Sequence, residues 1–229
     1  MAGYLTDEAQ GEEHTRIRVG IAPHSFADVI FGLALSLGSL ILIQSQVLAW
    51  QDVAWNVLLF GFSFLVIALT WLFFSQTISV LSDEGSSALF LNLLLLFCVA
   101  LEPYLFYLLM NGATQNLLSF TSIGYALDVG IMFVILARLA SLVLKQEKAG
   151  LIGQRPKLHA LVLLRFRHMM IGEYAVGALF LVSVIPVFWV PTEIGHLRFV
   201  IWYSSFLVFF VSHMWTKRTE SKMKKGVKE

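Results

Sequence analysis

Residues 25–48 read SFADVIFGLALSLGSLILIQSQVL. A polar start at Ser25 and Asp28 leads into an apolar run of membrane length. Crossing about 30 Å of hydrocarbon takes about 20 apolar helical residues, and this run supplies them. Leu33, Leu37 and Leu40 recur at i, i+4 and i+7, which puts them on one stripe of a helix, with Gly32 and Ser36 beside them. A leucine stripe is ordinary for a helix facing lipid. It has another meaning if copies of the stripe meet around an axis, where leucine rings narrow a pore.

The rest of the chain is equally apolar. Of 229 residues 58% are hydrophobic and 14% charged, with a mean hydropathy of +0.77. A soluble domain has about 45–50% and about 25%. The expectation is an all-α integral membrane protein, multi-pass, with the lipid bilayer as its first partner. Outward from the opening stretch, six candidate spans follow: 26–48, 55–81, 88–110, 118–144, 172–190 and 199–215. Turn-forming residues separate them, among them Trp50-Gln51-Asp52, Ser82 to Ser86, Asn111 to Asn116 and Pro191 to Gly195. The chain divides into a tail (1–24), a transmembrane domain (25–215, with an inner loop at 145–171) and a basic tail (216–229).

Lys and Arg set the orientation. All of the 16 basic residues except Arg138 and Arg198 fall in the first tail, in 145–171 or after residue 215. Cytoplasmic segments carry such an excess, so both termini are expected inside. Within 145–171, LHALVLLRFRHMM suits either an amphipathic helix on the inner surface or an early extension of the fifth span. The last residues, KRTESKMKKGVKE, read as a disordered tail attracted to anionic lipid. Trp50, Trp55, Trp189 and Trp202 fall near the outer boundary, as an aromatic belt would. The lone Cys98 forms no intrachain disulfide and reads as a small apolar residue. The N-terminus lacks the pattern of a cleavable leader.

Ionisable residues at membrane depth are costly and so draw notice. Asp28, at the start of the first span, suits a pair with Arg18, a helix cap or a cation-attracting mouth. Glu102 precedes Pro103 in the third span, and Asp128 and Arg138 lie in the fourth. Ten residues of helix, about 15 Å, separate Asp128 from Arg138. Glu102 and Asp128 fit similar depths on adjacent antiparallel spans, where two carboxylates suit proton or cation handling, or simply hold the bundle together. Enzyme signals are weak: HExxH, GxSxG and a P-loop are absent, and no metal, cofactor or nucleic-acid site is expected. Ser122-Ile123-Gly124-Tyr125 bears a faint likeness to a potassium filter, but it lies at the start of a long span and reads as coincidence.

Three stretches together resemble the transmembrane protein 175 family of potassium channels. They are Phe26-Ala27-Asp28 with its aliphatic continuation to Ser36, Ser63 to Trp71, and Asn92-Leu93-Leu94 through Glu102-Pro103. The resemblance implies a homotetramer of six-span subunits, with first spans surrounding a potassium-permeable pore. It places aliphatic constrictions on Leu33, Leu37 and Leu40 and a selectivity hydroxyl on Ser36. Phe26, Asp28 and Trp71 would brace the helix ends. K+ is the permeant ion, and the plasma membrane is the location if the source is prokaryotic. Four positions depart from the family pattern. Ala27 stands for its serine, Ala22 for its arginine, and Ser75 and Gln76 occupy the region of its histidines. A proton-coupled transporter using Glu102 and Asp128, and a non-conducting scaffold, are the other readings.

Overall fold

A computed structural model describes residues 23–44, 50–81, 85–111, 115–149, 156–185 and 197–225. Among these residues the chain is entirely helical. The helices are α1 (Pro23–Gln44), α2 (Trp50–Ile78), α3 (Ser86–Met110), α4 (Gln115–Lys148), α5 (Pro156–Val182) and α6 (Leu197–Lys225). Helices suit a chain this apolar because each satisfies its backbone polar groups internally, which hydrocarbon requires. Four of them, α1 to α4, are long and apolar enough to cross a membrane. The chain therefore has the build of a multi-pass membrane protein.

Several boundaries differ from the sequence expectation. Trp50, Gln51 and Asp52 are not a break but the first turn of α2, where the Asp52 carboxylate suits the positive end of the helix dipole. The fifth helix starts at Pro156 and not at 172, so LHALVLLRFRHMM runs without interruption into the apolar half of α5. Proline is well placed at a first helical turn, where its missing N–H goes unneeded. α5 also ends sooner than expected, at Val182. The bonds Val184 N–H to Leu181 and Ile185 N–H to Val182 tighten its end into shorter loops. Pro186 follows and has no N–H to continue the ladder. Finally, the KRTESKMKK stretch is not an irregular tail, since α6 extends through it to Lys225. Its residues are good helix formers, and Glu220 stands four before Lys224, a favourable spacing. The stretches 1–22 and 186–196, with Ala22 and Trp189, lie outside the described residues, as does the end of the first expected span at 45–48.

α4 is the centre of the bundle. Of its most apolar stretch 61% is buried, against 28% for α1. It packs on α2, α3 and α5, while α1 lies at the edge against α2 and α3. The α4–α5 crossing is close because two glycines meet there. A Cβ built on Gly130 would stand 3.0 Å from the Leu181 side chain, and one on Gly177 would stand 3.1 Å from the carbonyl oxygen of Gly130. Small residues let helix backbones approach, and in lipid such packing replaces the hydrophobic drive that water supplies.

An aromatic cluster closes the other side. Phe62 of α2 stacks at 6.0 Å on Trp202 of α6, which stacks in turn on Phe180 of α5 at 5.8 Å. The Trp202 indole N–H donates to Ser183 Oγ at 2.9 Å, so Trp202 is a core residue and not part of a surface belt. Trp50 and Trp55 are exposed. Cys98 is buried and unbridged.

These packings give a direct contrast. Gly177→Leu is expected to force α4 from α5 and lower stability by about 1–3 kcal/mol. Gly61→Ala, with nothing within 4 Å of its added Cβ, is expected to raise it by about 0.5–1 kcal/mol. Thermal unfolding of both variants in detergent checks the sign of each change.

Candidate functional site

Two places hold the residues singled out by sequence. The first is α1. Ala27, Phe31, Ala34, Gly38 and Ile41 form its buried stripe, spaced by three and four residues. The opposite stripe is exposed on the bundle surface: Phe26, Val29, Leu33, Ser36, Leu40 and Ile43, with Leu37 beside it. The second stripe alternates three and four residues, the seam along which helices pack against copies of themselves. Leu33, Leu37 and Leu40 are 57%, 41% and 50% exposed, so this chain's own bundle leaves all three uncovered. Ser36 Oγ donates to the Gly32 carbonyl at 2.8 Å. Its hydrogen is thus engaged within the helix, and its oxygen keeps lone pairs for an outside donor or cation.

At the start of α1, Asp28 accepts a hydrogen bond at 2.8 Å from the indole N–H of Trp71 on α2. The bond fixes the second turn of α1 against the last third of α2. Phe26 lies on the exposed stripe. Ala27 is fully buried and packs in the core cluster with Phe31 and Ala34.

The second place lies inside the bundle. Ser63 of α2 donates to Glu102 Oε1 at 2.6 Å, and Tyr125 of α4 donates to the same oxygen at 2.9 Å. One carboxyl oxygen thereby ties α2, α3 and α4 together. Asp128 stands one turn beyond Tyr125, within electrostatic range of Glu102 and next to Cys98. Glu102 Oε2 and Asp128 Oδ2 are buried without a hydrogen-bond partner among the described residues. Arg138 is exposed and away from this cluster. Pro103 opens the α3 ladder immediately after Glu102, since it has no N–H to give the Val99 carbonyl. The Ser122–Tyr125 stretch is continuous helix within α4, with Tyr125 wholly buried as the Glu102 donor.

Some polar residues of the interior carried little signal in sequence. Ser63 and Tyr125 are hydroxyls in apolar runs, common in membrane helices and uninformative until a partner is seen. Glu173 of α5 is different. It is fully buried with neither carboxyl oxygen hydrogen-bonded among the described residues, and a lone acid in MIGEYAVGALF is a visible signal. Among the described residues, no group of three or more His, Cys, Asp or Glu side chains could hold a metal ion.

The three-helix junction makes a specific expectation. Glu102→Gln keeps an acceptor for both hydroxyls and should cost less than about 1 kcal/mol. Glu102→Leu strands the Ser63 and Tyr125 hydroxyls in an apolar interior and should cost about 2–5 kcal/mol. The two melting temperatures in detergent measure the difference, and equal losses would remove the hydrogen bonds as its cause.

Comparison of the chain with family models, with curated proteins and with solved structures gave no match.

Proposed function

We propose that the chain is one subunit of a potassium-permeable cation channel, a homotetramer in which four α1 helices surround the conducting axis. Each subunit crosses the membrane six times with both termini in the cytoplasm. The observation that carries this reading is the uncovered stripe of α1, an apolar seam with Ser36 in its middle, on a helix at the bundle edge. The resemblance of Phe26–Ser36, Ser63–Trp71 and Asn92–Pro103 to the transmembrane protein 175 family supports it. So does the Asp28–Trp71 bond, which fixes the mouth end of the helix.

The mechanism follows from side-chain chemistry. Rings of Leu33, Leu37 and Leu40 offer no oxygen to replace an ion's water. They act as a hydrophobic gate, closing by dewetting and passing ions that keep part of their hydration shell. Ser36 supplies a side-chain oxygen between the Leu33 and Leu37 rings. With its hydrogen held by Gly32, a ring of four such oxygens faces the ion as acceptors and favours the more easily dehydrated K+ over Na+.

The buried Glu102 and Asp128 favour a second reading, a proton-coupled transporter, because the two acids interact electrostatically inside the bundle and each has a carboxyl oxygen without a partner among the described residues. In that case uptake depends strictly on a pH gradient and Glu102→Gln abolishes it.

Liposome flux separates the two. In the channel, Leu33→Ala and Leu37→Ala raise K+ leak severalfold, and Ser36→Ala reduces the preference for K+ over Na+. Flux unchanged by all three substitutions would exclude α1 as the pore lining.

A further inference from the structure

A second feature stands apart from α1. Between α2, α5 and α6 lies a half-open cleft of about 520 Å³. Leu65, Leu69 and Leu72 form one wall and Phe206 and Phe210 the other. These leucines recur every three or four residues, so the wall is one stripe of α2. From Leu65 to Gln76 the cleft follows about 16 Å of helix, close to the depth of one leaflet of a bilayer about 30 Å thick.

One end of the cleft is polar and cationic. Arg165 of α5 lines it and donates from Nη2 to Gln76 Oε1 at 3.2 Å. Among the described residues its partner is thus a neutral amide and not a carboxylate. A guanidinium has five N–H donors in a planar fork, so among the described residues most of its donors stay open and no carboxylate is seen to meet its charge. Gln76 holds the fork over the mouth of an apolar groove. The arrangement also fixes which end this is. Gln76 lies near the end of α2, and α6 runs parallel to α2, as the Phe62–Phe206 and Phe73–Phe209 contacts require. The lysine-rich end of α6, with Lys217 exposed, therefore lies beyond the same mouth.

We infer that this cleft is a binding site for one anionic phospholipid, its phosphate on Arg165 and one acyl chain along the Leu65–Leu72 and Phe206–Phe210 walls. The occupant follows from charge and shape together. A guanidinium whose partner among the described residues is a neutral amide forks a phosphate oxygen pair well. Basic pockets between helices at the positive face of a membrane protein take acidic headgroups. A free anion has no use for the apolar walls, and a zwitterionic lipid brings a choline cation that the Arg165 charge and the exposed Lys217 of α6 disfavour. The site does not depend on what α1 does, so its failure leaves the channel reading untouched and the reverse also holds.

Native mass spectrometry of the purified full chain, titrated with phosphatidylglycerol and with phosphatidylcholine, tests it. The wild-type chain is expected to bind phosphatidylglycerol at least tenfold more tightly. Arg165→Gln, at an exposed position, should reduce that preference to less than about threefold, and Arg165→Lys should restore part of it. Leu69→Trp fills the groove with charge unchanged and should weaken both lipids. No preference in the wild type overturns the inference. So does a preference that survives Arg165→Gln, which would assign it to the lysines of α6. Inorganic phosphate displacing the lipid would likewise overturn it, since the acyl chain then contributes nothing.

Discussion

The bundle depends on one oxygen atom. Glu102 Oε1 receives hydroxyls from α2 and α4, and it does so where hydrocarbon surrounds the bundle and water cannot stand in. An acid at such a place would be expelled or unsettle its helix unless partners met it. The partners come from the helices that must pack on α3 in any case. The polar contact therefore sets register: sliding α4 by one residue along α3 would turn Tyr125 away and leave Glu102 without its second donor. Apolar packing alone is tolerant of such slips. The Gly130–Gly177 crossing then fixes α5 against α4 at a separation that larger side chains would forbid, and Trp202 closes α6 over both.

The two sides of the molecule differ in what they leave open. α4, α5 and α6 bury Tyr125, Phe180 and Trp202 against Phe62 of α2 and leave a cleft with a charged end. α1 buries alanines, a glycine and Phe31 on one face and presents the leucines and Ser36 on the other. The small residues bring α1 close to α2 and α3, so that its larger side chains point outward. For a helix that only had to face lipid, the serines of that outer face would be an odd choice. Ser36 and Ser39 both turn their hydrogens back onto the helix, which makes them tolerable in hydrocarbon while leaving their oxygens outermost.

Much of the architecture was legible because hydrocarbon length and helical rise are fixed quantities. The runs that became α1 to α4 are bounded within a few residues by composition alone. Asp28, Glu102 and Asp128 stood out because a charge in an apolar run is rare. What stayed hidden was pairing. Ser63 and Tyr125 look like filler until Glu102 is seen between them, and Arg165 meets Gln76 across 89 residues with no local sign of it. The extent of α5 was hidden for another reason: its first half is mixed in polarity, so hydropathy placed its start too late, whereas Pro156 marks it correctly. Trp202 shows the limit of the aromatic-belt rule, because tryptophan suits a packed core with a hydroxyl acceptor as well as it suits an interface.

The Glu102 junction also has a history within each molecule. Ser63 lies 39 residues before Glu102, and Tyr125 lies 23 residues after it. A growing chain that has just finished α3 holds the acid with one of its two donors, and the other has yet to be made. Helices α1 to α3 are then an unfinished assembly, however apolar each is by itself. Synthesis of α4 supplies the missing hydroxyl and the central packing surface in the same stretch. The bundle is therefore completed around its fourth helix and not laid down one helix at a time, and the quality-control machinery of the cell meets an incompletely satisfied carboxyl for as long as α4 is delayed.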